Sequence, residues 1–564
     1  MTRSRSDPGR PSTTDSGRRA GARAGLGVAA GIGLLALLAA MAVAELVAGF
    51  TGPGTVPVVA VGSAVIPLTP ETVKERAIAL FGTSDKTALI IGTCVAVALF
   101  AVLAGVLARR RRTLGNAVVL ALAAAGAAAA ATRPTAAMLD VLPSVAAGVV
   151  GVLVLESLTR RHSALRPAAE PPAQTPAAQP SGRRGFLGAV GAVLAVTVGS
   201  GSVGAFLIRK RYDKAAARTG VVLPRPASRA VAQPAGAQVA QVASGPVTSA
   251  LPTVPPASAL PTVPPAAGGS RVVGVSDFFT SNDAFYRIDT ALVVPELEAS
   301  TWELRIHGMV RHELRLSYAE LVALPLVERD ITLSCVSNDV GGGLISNARW
   351  IGTLLAPLLR RAGVLPGVEQ LVSRDVHGMT IGTPVAAVLD GRDAMLAVGM
   401  NGTTLPFQHG FPVRMVVPGL YGYVSACKWI VDIEVTTWRA YDAYWVQRGW
   451  SQQGPIKVES RIDVPRSSVR AGVVPVAGVA WAPHTGIGKV EVRVGDGPWE
   501  AATLAPVATD DTWRQWVYPW HAVAGTHRLQ VRATDARGVQ QTPAQAQPFP
   551  SGATGWHSVT VTVS

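Results

Sequence analysis

Of the three cysteines in this 564-residue chain, Cys94 lies inside an apolar run, and only Cys335 and Cys427 fall in the polar part. Two such thiols give no disulfide framework to read. Cys335 stands in a compact string, Leu333-Ser334-Cys335-Val336-Ser337-Asn338. A thiolate is a soft metal ligand, but a free thiol is commonly just a buried structural group. Downstream come His409, Arg414 and Lys428, with a glycine-bearing loop from Gly419 to Ser425 between them. Glycines let backbone N–H groups approach an anion closely. Taken singly, Arg414 and Lys428 read as solvated surface charges, and Asn338 and His409 as turn residues.

The rest of the chain must carry and position these groups. Charged residues are only 15 % of it and mean hydropathy is +0.32, which points to membrane spans. Charge does not break the runs Leu26 to Ala44, Ala88 to Ala108, Thr113 to Thr132 and Gly185 to Ile208, and a shorter run covers Val141 to Leu155. A helix of about 20 residues crosses about 30 Å of hydrocarbon. The sequence therefore predicts a membrane domain over 1–212, with spans at 26–50, 88–108, 113–132, 139–158 and 185–208. The net charge of +15 suggests nucleic acid at first, but the arginines cluster beside these runs, at Arg18-Arg19, Arg109 to Arg112, Arg160-Arg161, Arg183-Arg184 and Arg209 to Arg211. That placement fits membrane topology and no nucleic-acid partner. Basic residues on the inner side put the N-terminus in the cytoplasm. Four spans return the chain there, and the fifth sends residues 209–564 outside a cell membrane crossed several times.

Before the fifth span, Ser181-Gly182-Arg183-Arg184-Gly185-Phe186-Leu187 resembles a twin-arginine export signal, here internal; an ordinary basic cluster would read the same. No histidine precedes His162, so the spans are expected to hold no haem b. Residues 213–270 are rich in Pro, Ala and Val and repeat Ala-Leu-Pro-Thr-Val-Pro-Pro, the pattern of an extended spacer. Past it, β-rich runs (Trp302 to His307, Arg414 to Val417, Trp429 to Val435) alternate with helical ones (Tyr318 to Leu324, Leu354 to Ala362). They predict an α+β domain over 271–450. Short strands at Val469 to Val479, Lys489 to Val494, Thr512 to Val517, Arg528 to Arg532 and Ser558 to Ser564 predict an immunoglobulin-like β-sandwich over 455–564.

Four blocks in order carry a resemblance from about Val275 to the end of the chain. They are Phe285-Tyr286-Arg287-Ile288-Asp289 with Trp302-Glu303-Leu304 and Gly308; the Cys335 string with Asn347-Ala348-Arg349-Trp350-Ile351-Gly352; Asn401-Gly402, Leu405-Pro406 and His409-Gly410-Phe411-Pro412-Val413-Arg414; and Val417-Pro418-Gly419-Leu420-Tyr421-Gly422 with Lys428-Trp429. Together they resemble the sulfite oxidase family of molybdopterin proteins. The resemblance implies a molybdenum–molybdopterin cofactor with Cys335 as metal ligand, and catalytic roles for Cys335, Arg287 and Tyr421. It implies cofactor contacts from Tyr286, Arg287, Asp289, Asn338, His409, Arg414, Gly422, Tyr423, Ser425 and Lys428, with Arg414 and Lys428 on the phosphate. It also implies a C-terminal dimerisation domain, although the membrane anchor could replace that role.

The expected reaction is oxygen-atom transfer on a small-molecule substrate, with a separate electron-transfer partner. A sulfoxide-type reductase and an inactive surface binding protein are the competing readings. Sulfite is not the expected substrate. The family arginine five residues past the cysteine is replaced by Val340, preceded by Asp339, and the loop to Asn347 is short.

Overall fold

The computed structural model describes residues 13–69, 73, 85–133, 136–164, 181–211, 218, 220–228 and 272–564. The chain divides into two compact units, Met1–Asp213 with Ala291–Val293, and Lys214–Thr290 with Val294–Ser564.

The first unit is helical: α1 Thr13–Thr51, α2 Pro57–Leu68, α3 Asp85–Arg110, α4 Arg112–Ala131, α5 Leu142–Ser163 and α6 Ser181–Arg211. Among the described residues, five stretches are long and apolar enough to cross a membrane: Gly25–Thr51, Lys86–Arg110, Arg112–Ala131, Met138–Ser163 and Arg184–Ile208. They stand where the uninterrupted apolar runs stood, most extended slightly at their ends. The stretch between the first two expected spans holds a short 3-10 turn, Pro53–Thr55, and α2, which is too short to span and is started by Pro57 at its first turn. Leu99, Leu153 and Val198 are each more than 60 % exposed on the helix surfaces, a burden in water and none in hydrocarbon. Helices α1 and α3 cross through glycines. A Cβ on Gly33 would lie 2.0 Å from the Ala101 carbonyl oxygen, and one on Gly105 would lie 2.1 Å from that of Ala29. Larger residues there would force the helices apart. Arg109-Arg110 close α3 and Arg160-Arg161 close α5, where cations complement the helix dipole.

The second unit opens with a mixed α+β region built on two sheets. One sheet has the order β2-β1-β10-β5-β6, from β1 Glu303–Gly308, β2 Leu314–Ser317, β5 Gln370–Asp375, β6 Thr380–Pro384 and β10 Ile430–Thr436. The other joins β3 Leu326–Ser334, β4 Ile345–Leu354, β7 Met395–Met400 and β8 Thr403–Thr404, with β9 Arg414–Val416 pairing β7. Helices α7 Tyr318–Ala323, α8 Leu355–Ala362, α9 Val385–Leu389 and α10 Gly422–Ser425 complete it. The expected strands and helices are present, but β2 to β8 were not anticipated. Strand β3 is buried almost throughout although it carries Glu328 and Asp330. Arg349 of β4 neutralises them, bonding the two oxygens of Asp330 at 2.7 and 2.9 Å and lying 3.7 Å from Glu328. Charged residues inside a strand hide the alternation that marks a half-buried strand.

The chain ends in two facing antiparallel sheets, β11-β12-β16-β15 and β14-β13-β17-β18. Their strands are β11 Glu459–Val464, β12 Gly472–Trp481, β13 Ile487–Val494, β14 Glu500–Ala501, β15 Thr503–Leu504, β16 Arg514–Ala522, β17 Gly525–Asp535 and β18 His557–Val563. Ile462, Val476, Trp516, Leu529, Val531 and Val561 fill the space between them. All five expected runs are strands; β11, β14 and β15 are additional.

The expected spacer is not wholly free chain. Leu223 is buried in the core of the α+β region, the Ala227 N–H donates to the Leu326 carbonyl, and the Glu328 N–H donates to the Ser228 carbonyl. Residues 220–228 thus cover the edge of β3, where unpaired backbone would otherwise lie open. The Pro-rich repeats at 250–265 lie outside the described residues.

Candidate active site

Cys335 follows β3 directly, and the loop to β4 is pinned at several points. The Cys335 N–H donates to the Leu344 carbonyl at 2.9 Å, and the Asn338 N–H donates to the Cys335 carbonyl at 3.1 Å. Asn338 Oδ1 accepts the Leu344 N–H at 2.7 Å, while its buried Nδ2 has no protein partner. Two residues from the paired C-terminal sheets clamp the same loop. Arg461 Nη1 donates to the Gly342 carbonyl at 2.7 Å, and its other nitrogens are held by Asp463 and Ser276. The His557 ring packs on Gly341, where a Cβ would lie 2.1 Å away. Its Nδ1 accepts the Ile462 N–H, and burial pushes its pKa down to about 4, so it is neutral near pH 7.

The Cys335 thiol is buried. Burial raises its pKa, and hydrogen bonds from the Ser337 backbone and hydroxyl oppose the rise. Tyr286, stacked on Phe285 and tied through its N–H to Ser346, reaches toward the start of α10, its hydroxyl 3.5 Å from where a Gly422 Cβ would sit. The backbone of that short helix therefore lies close to both Tyr286 and the end of β3. Tyr421 precedes it. Its N–H donates to the Gly454 carbonyl and its hydroxyl accepts the Lys457 N–H at 3.5 Å. Burial raises the phenol pKa, and the charges of Glu459 and Cys335 raise it further.

Beside this lies a group of cations. Arg414 is fully enclosed and stacks 4.9 Å over Trp350. It reaches only the carbonyls of His409 at 3.2 Å and Ala426 at 3.5 Å, and its Nε has no partner. Burial pushes its pKa down to about 10. Lys428, its pKa brought down to about 8 by burial against the pull of Asp289, donates to that carboxylate at 2.6 Å. Asp289 also accepts from Arg287 Nε at 2.9 Å. His409 donates through Nε2 to the Asn282 carbonyl at 2.7 Å. Burial and the charges of Arg414, Lys428 and Arg287 push its pKa to about 4, so Nδ1 is left as an acceptor.

The structure thus gathers Cys335, Tyr286, Tyr421 and Gly422 at one place and Arg287, Asp289, His409, Arg414 and Lys428 beside them, with Asn338 inside the Cys335 loop. Arg287, expected at the metal as well as the pterin, pairs with Asp289 on the cation side. Tyr423 and Ser425 are turned to the protein itself. The Tyr423 hydroxyl donates to the Ser451 carbonyl, and the Ser425 hydroxyl lies within reach of the Leu420 and Tyr421 carbonyls. Sequence reasoning missed Ser337, Asn282, Lys457, Glu459, Arg461 and His557. Four of these come from the C-terminal segment, and no local motif announces a contact made by distant strands. A cleft of about 490 Å³ is lined by Ser451, Gln452, Gln453, Gly454, Lys457 and Ser551 among others, and two of these, Gly454 and Lys457, bond the buried Tyr421 through their backbone. Among the described residues no three His, Cys, Asp or Glu gather as a metal cluster, so a metal held by Cys335 must bring its other ligands with it.

The family model of the oxidoreductase molybdopterin-binding domain matches residues 291–445. The uncharacterised oxidoreductase YuiH of Bacillus subtilis is 31 % identical over 162 residues, covering 28 % of this chain and 78 % of YuiH. This chain belongs to the sulfite oxidase-like family of molybdopterin oxidoreductases. Sulfite oxidase of Gallus gallus is 32 % identical, over 44 % of this chain and 64 % of its own length. Mitochondrial sulfite oxidase of Homo sapiens is 29 % identical, over 45 % and 55 %. The chain thus spans a little over half the length of the sulfite oxidases it matches. The sulfane dehydrogenase SoxCD of Paracoccus pantotrophus aligns over 57 % of this chain and 96 % of its own, at 20 % identity and a TM-score of 0.45. The matched residues of this sulfite oxidase-like chain contain the Cys335 loop, His409, Arg414, Lys428 and α10, while Arg287 and Asp289 lie just before them.

Proposed function

We propose that this chain is a membrane-anchored molybdopterin oxidoreductase that transfers an oxygen atom to or from an uncharged substrate. The observation that carries the reading is the buried thiol beside an enclosed cation group. Arg287 and Lys428 share the Asp289 carboxylate, with the buried Asp375 also near Lys428, whereas the enclosed Arg414 meets no carboxylate among the described residues, which leaves an excess of positive charge out of water. Such an excess is costly without an anion, and a pterin phosphate is one. The unpartnered Arg414 Nε and Asn338 Nδ2 and the close backbone at Gly422 fit the same group. Arg414, Lys428 and His409 would hold the phosphate and pterin, Tyr286 and α10 would flank them, and Cys335 would bind the metal. When bound, the cofactor supplies a centre that accepts or donates an oxygen atom and two electrons. The protein shields that centre from water, fixes it through the pinned loop, and offers the Tyr421 phenol as a proton donor.

Sulfite fits poorly because the charge a dianion needs is committed elsewhere. Arg349 is bound to Asp330, and Arg461 to Asp463, Ser276 and Gly342. The cleft beside Tyr421 offers amides and hydroxyls with one lysine, which favours a sulfoxide-type reductase as the specific reaction. The five apolar helices and their basic ends support a multi-pass anchor in the cell membrane with residues 209–564 outside. The paired C-terminal sheets support an immunoglobulin-like fold and a homodimer through it. Electrons would pass to or from a separate protein partner. Metal and pterin analysis of the purified chain tests the core of this reading. One molybdenum per chain, lost in Cys335→Ala, supports it; full occupancy in that variant removes Cys335 as ligand.

A further inference from the structure

Glu459 is the first residue of β11, two positions past Lys457, whose N–H meets the Tyr421 phenol. Its side chain is 4 % exposed, and Oε1 has no hydrogen-bond partner. It lies close enough to Tyr421 for its charge to raise that phenol's pKa. Next to it, the Lys457 N–H points at the same phenol oxygen, and the Lys457 ammonium is bound to the Gly552 carbonyl. From β12 the facing residue is Trp481, which brings no charge. Arg461, two positions along the same face of β11, is turned to Asp463 and Gly342. Glu459 therefore faces one lysine and one phenol and has no salt-bridge partner of its own. A buried carboxyl so placed keeps its proton, in agreement with a pKa pushed up to about 8 by burial.

We propose that Glu459 and Tyr421 form a proton-donating pair that receives the oxygen of an uncharged sulfoxide entering through the Ser451–Lys457 cleft. The inference rests on the oxygen-transfer reading above and names the group that completes it. Two hydrogen-bond donors suit a strongly polar but uncharged S=O oxygen, whereas a neutral acid gives a dianion little charge to bind. In the reductive direction the S–O bond breaks, sulfur gains two electrons, and oxygen leaves as water with two protons. Glu459 delivers one of these protons through or beside Tyr421, solvent supplies the second, and solvent then reprotonates Glu459. A viologen reductant supplies the electrons in the test.

The experiment uses the full-length, molybdenum-loaded chain with methyl p-tolyl sulfoxide and reduced methyl viologen across a pH series. The wild-type kcat should fall as pH rises past about 8. Glu459→Gln should lose that limb and run at least tenfold slower near pH 7, whereas Tyr421→Phe should be slower and keep the limb. Infrared difference spectra of wild type against Glu459→Gln read the carboxyl directly, and a protonated-carboxyl band near pH 7 should vanish in the variant. Persistence of the pH limb in Glu459→Gln, or no loss of the band, overturns the inference. A loaded wild type that turns over sulfite but not the sulfoxide overturns the uncharged-substrate reading, while the infrared result still decides whether Glu459 holds the proton.

Discussion

A protonated carboxyl in the interior makes stability depend on pH in a way one substitution can isolate. The Glu459 carboxyl has a folded pKa near 8 against an ordinary value of 4.5. Below pH 4.5 it is protonated in both states and burial costs no ionisation. Between pH 4.5 and 8 the unfolded chain releases the proton and the folded chain does not, so the folded state loses stability as pH rises. Above 8 the loss levels off. At about 1.4 kcal/mol per pH unit, the change between pH 5 and pH 8 amounts to about 3 to 4 kcal/mol. Glu459→Gln removes this term. Any difference in how the amide is accommodated shifts the variant's stability by a constant; the diagnostic is the difference between variant and wild type as pH changes. At roughly 2 to 4 °C per kcal/mol for a body of this size, the Gln variant should gain roughly 10 °C in Tm relative to wild type on going from pH 5 to pH 8. Differential scanning calorimetry or fluorescence-monitored melting of the purified chain measures it. Parallel melting curves across that range would show that Glu459 ionises as an ordinary carboxyl and would refute the reasoning.

Other outcomes follow from the same site. Cys335→Ala should abolish turnover with the fold intact, whereas Cys427→Ala, at a fully buried core position, should cost roughly 1 kcal/mol of stability and keep the metal; metal analysis and melting distinguish the two. A steady-state assay should find sulfite a poor substrate, with affinity lower by roughly two to three orders of magnitude for want of one opposing charge worth about 2–5 kcal/mol; a micromolar KM with rapid turnover would refute this. Changing Arg183 and Arg184 together to Lys should keep residues 209–564 inside while the earlier helices insert, and protease added to whole cells should then no longer cut that part.

Some features were legible in the sequence because their signal is local. A run without charge long enough to span a bilayer needs no partner to be recognised, and five apolar helices long enough to do so stand within a few residues of the expected runs. The cofactor-side residues sit in short strings, such as His409 to Arg414, whose order alone carries the resemblance. What stayed hidden depends on pairing across the fold. Glu328, Asp330 and Arg349 look like surface charges until β3 and β4 bring them together. Glu459, Arg461 and Asp463 alternate along β11 as solvent-facing residues would, yet that face is covered by the α+β region. Residues 220–228 read as spacer from composition, and only the open edge of β3 makes a strand partner of them.

Arg461 and His557 stand on β11 and β18, near the two ends of the C-terminal sheets, and both close on the loop that follows Cys335. The sheets are therefore not a detachable appendage. A chimaera that kept the α+β region but borrowed these sheets from elsewhere would leave residues 338–344 without the Arg461 and His557 contacts that hold the loop after Cys335. A substitution at Arg461 or His557 would therefore be felt in the loop of the neighbouring fold as well as in the sheets.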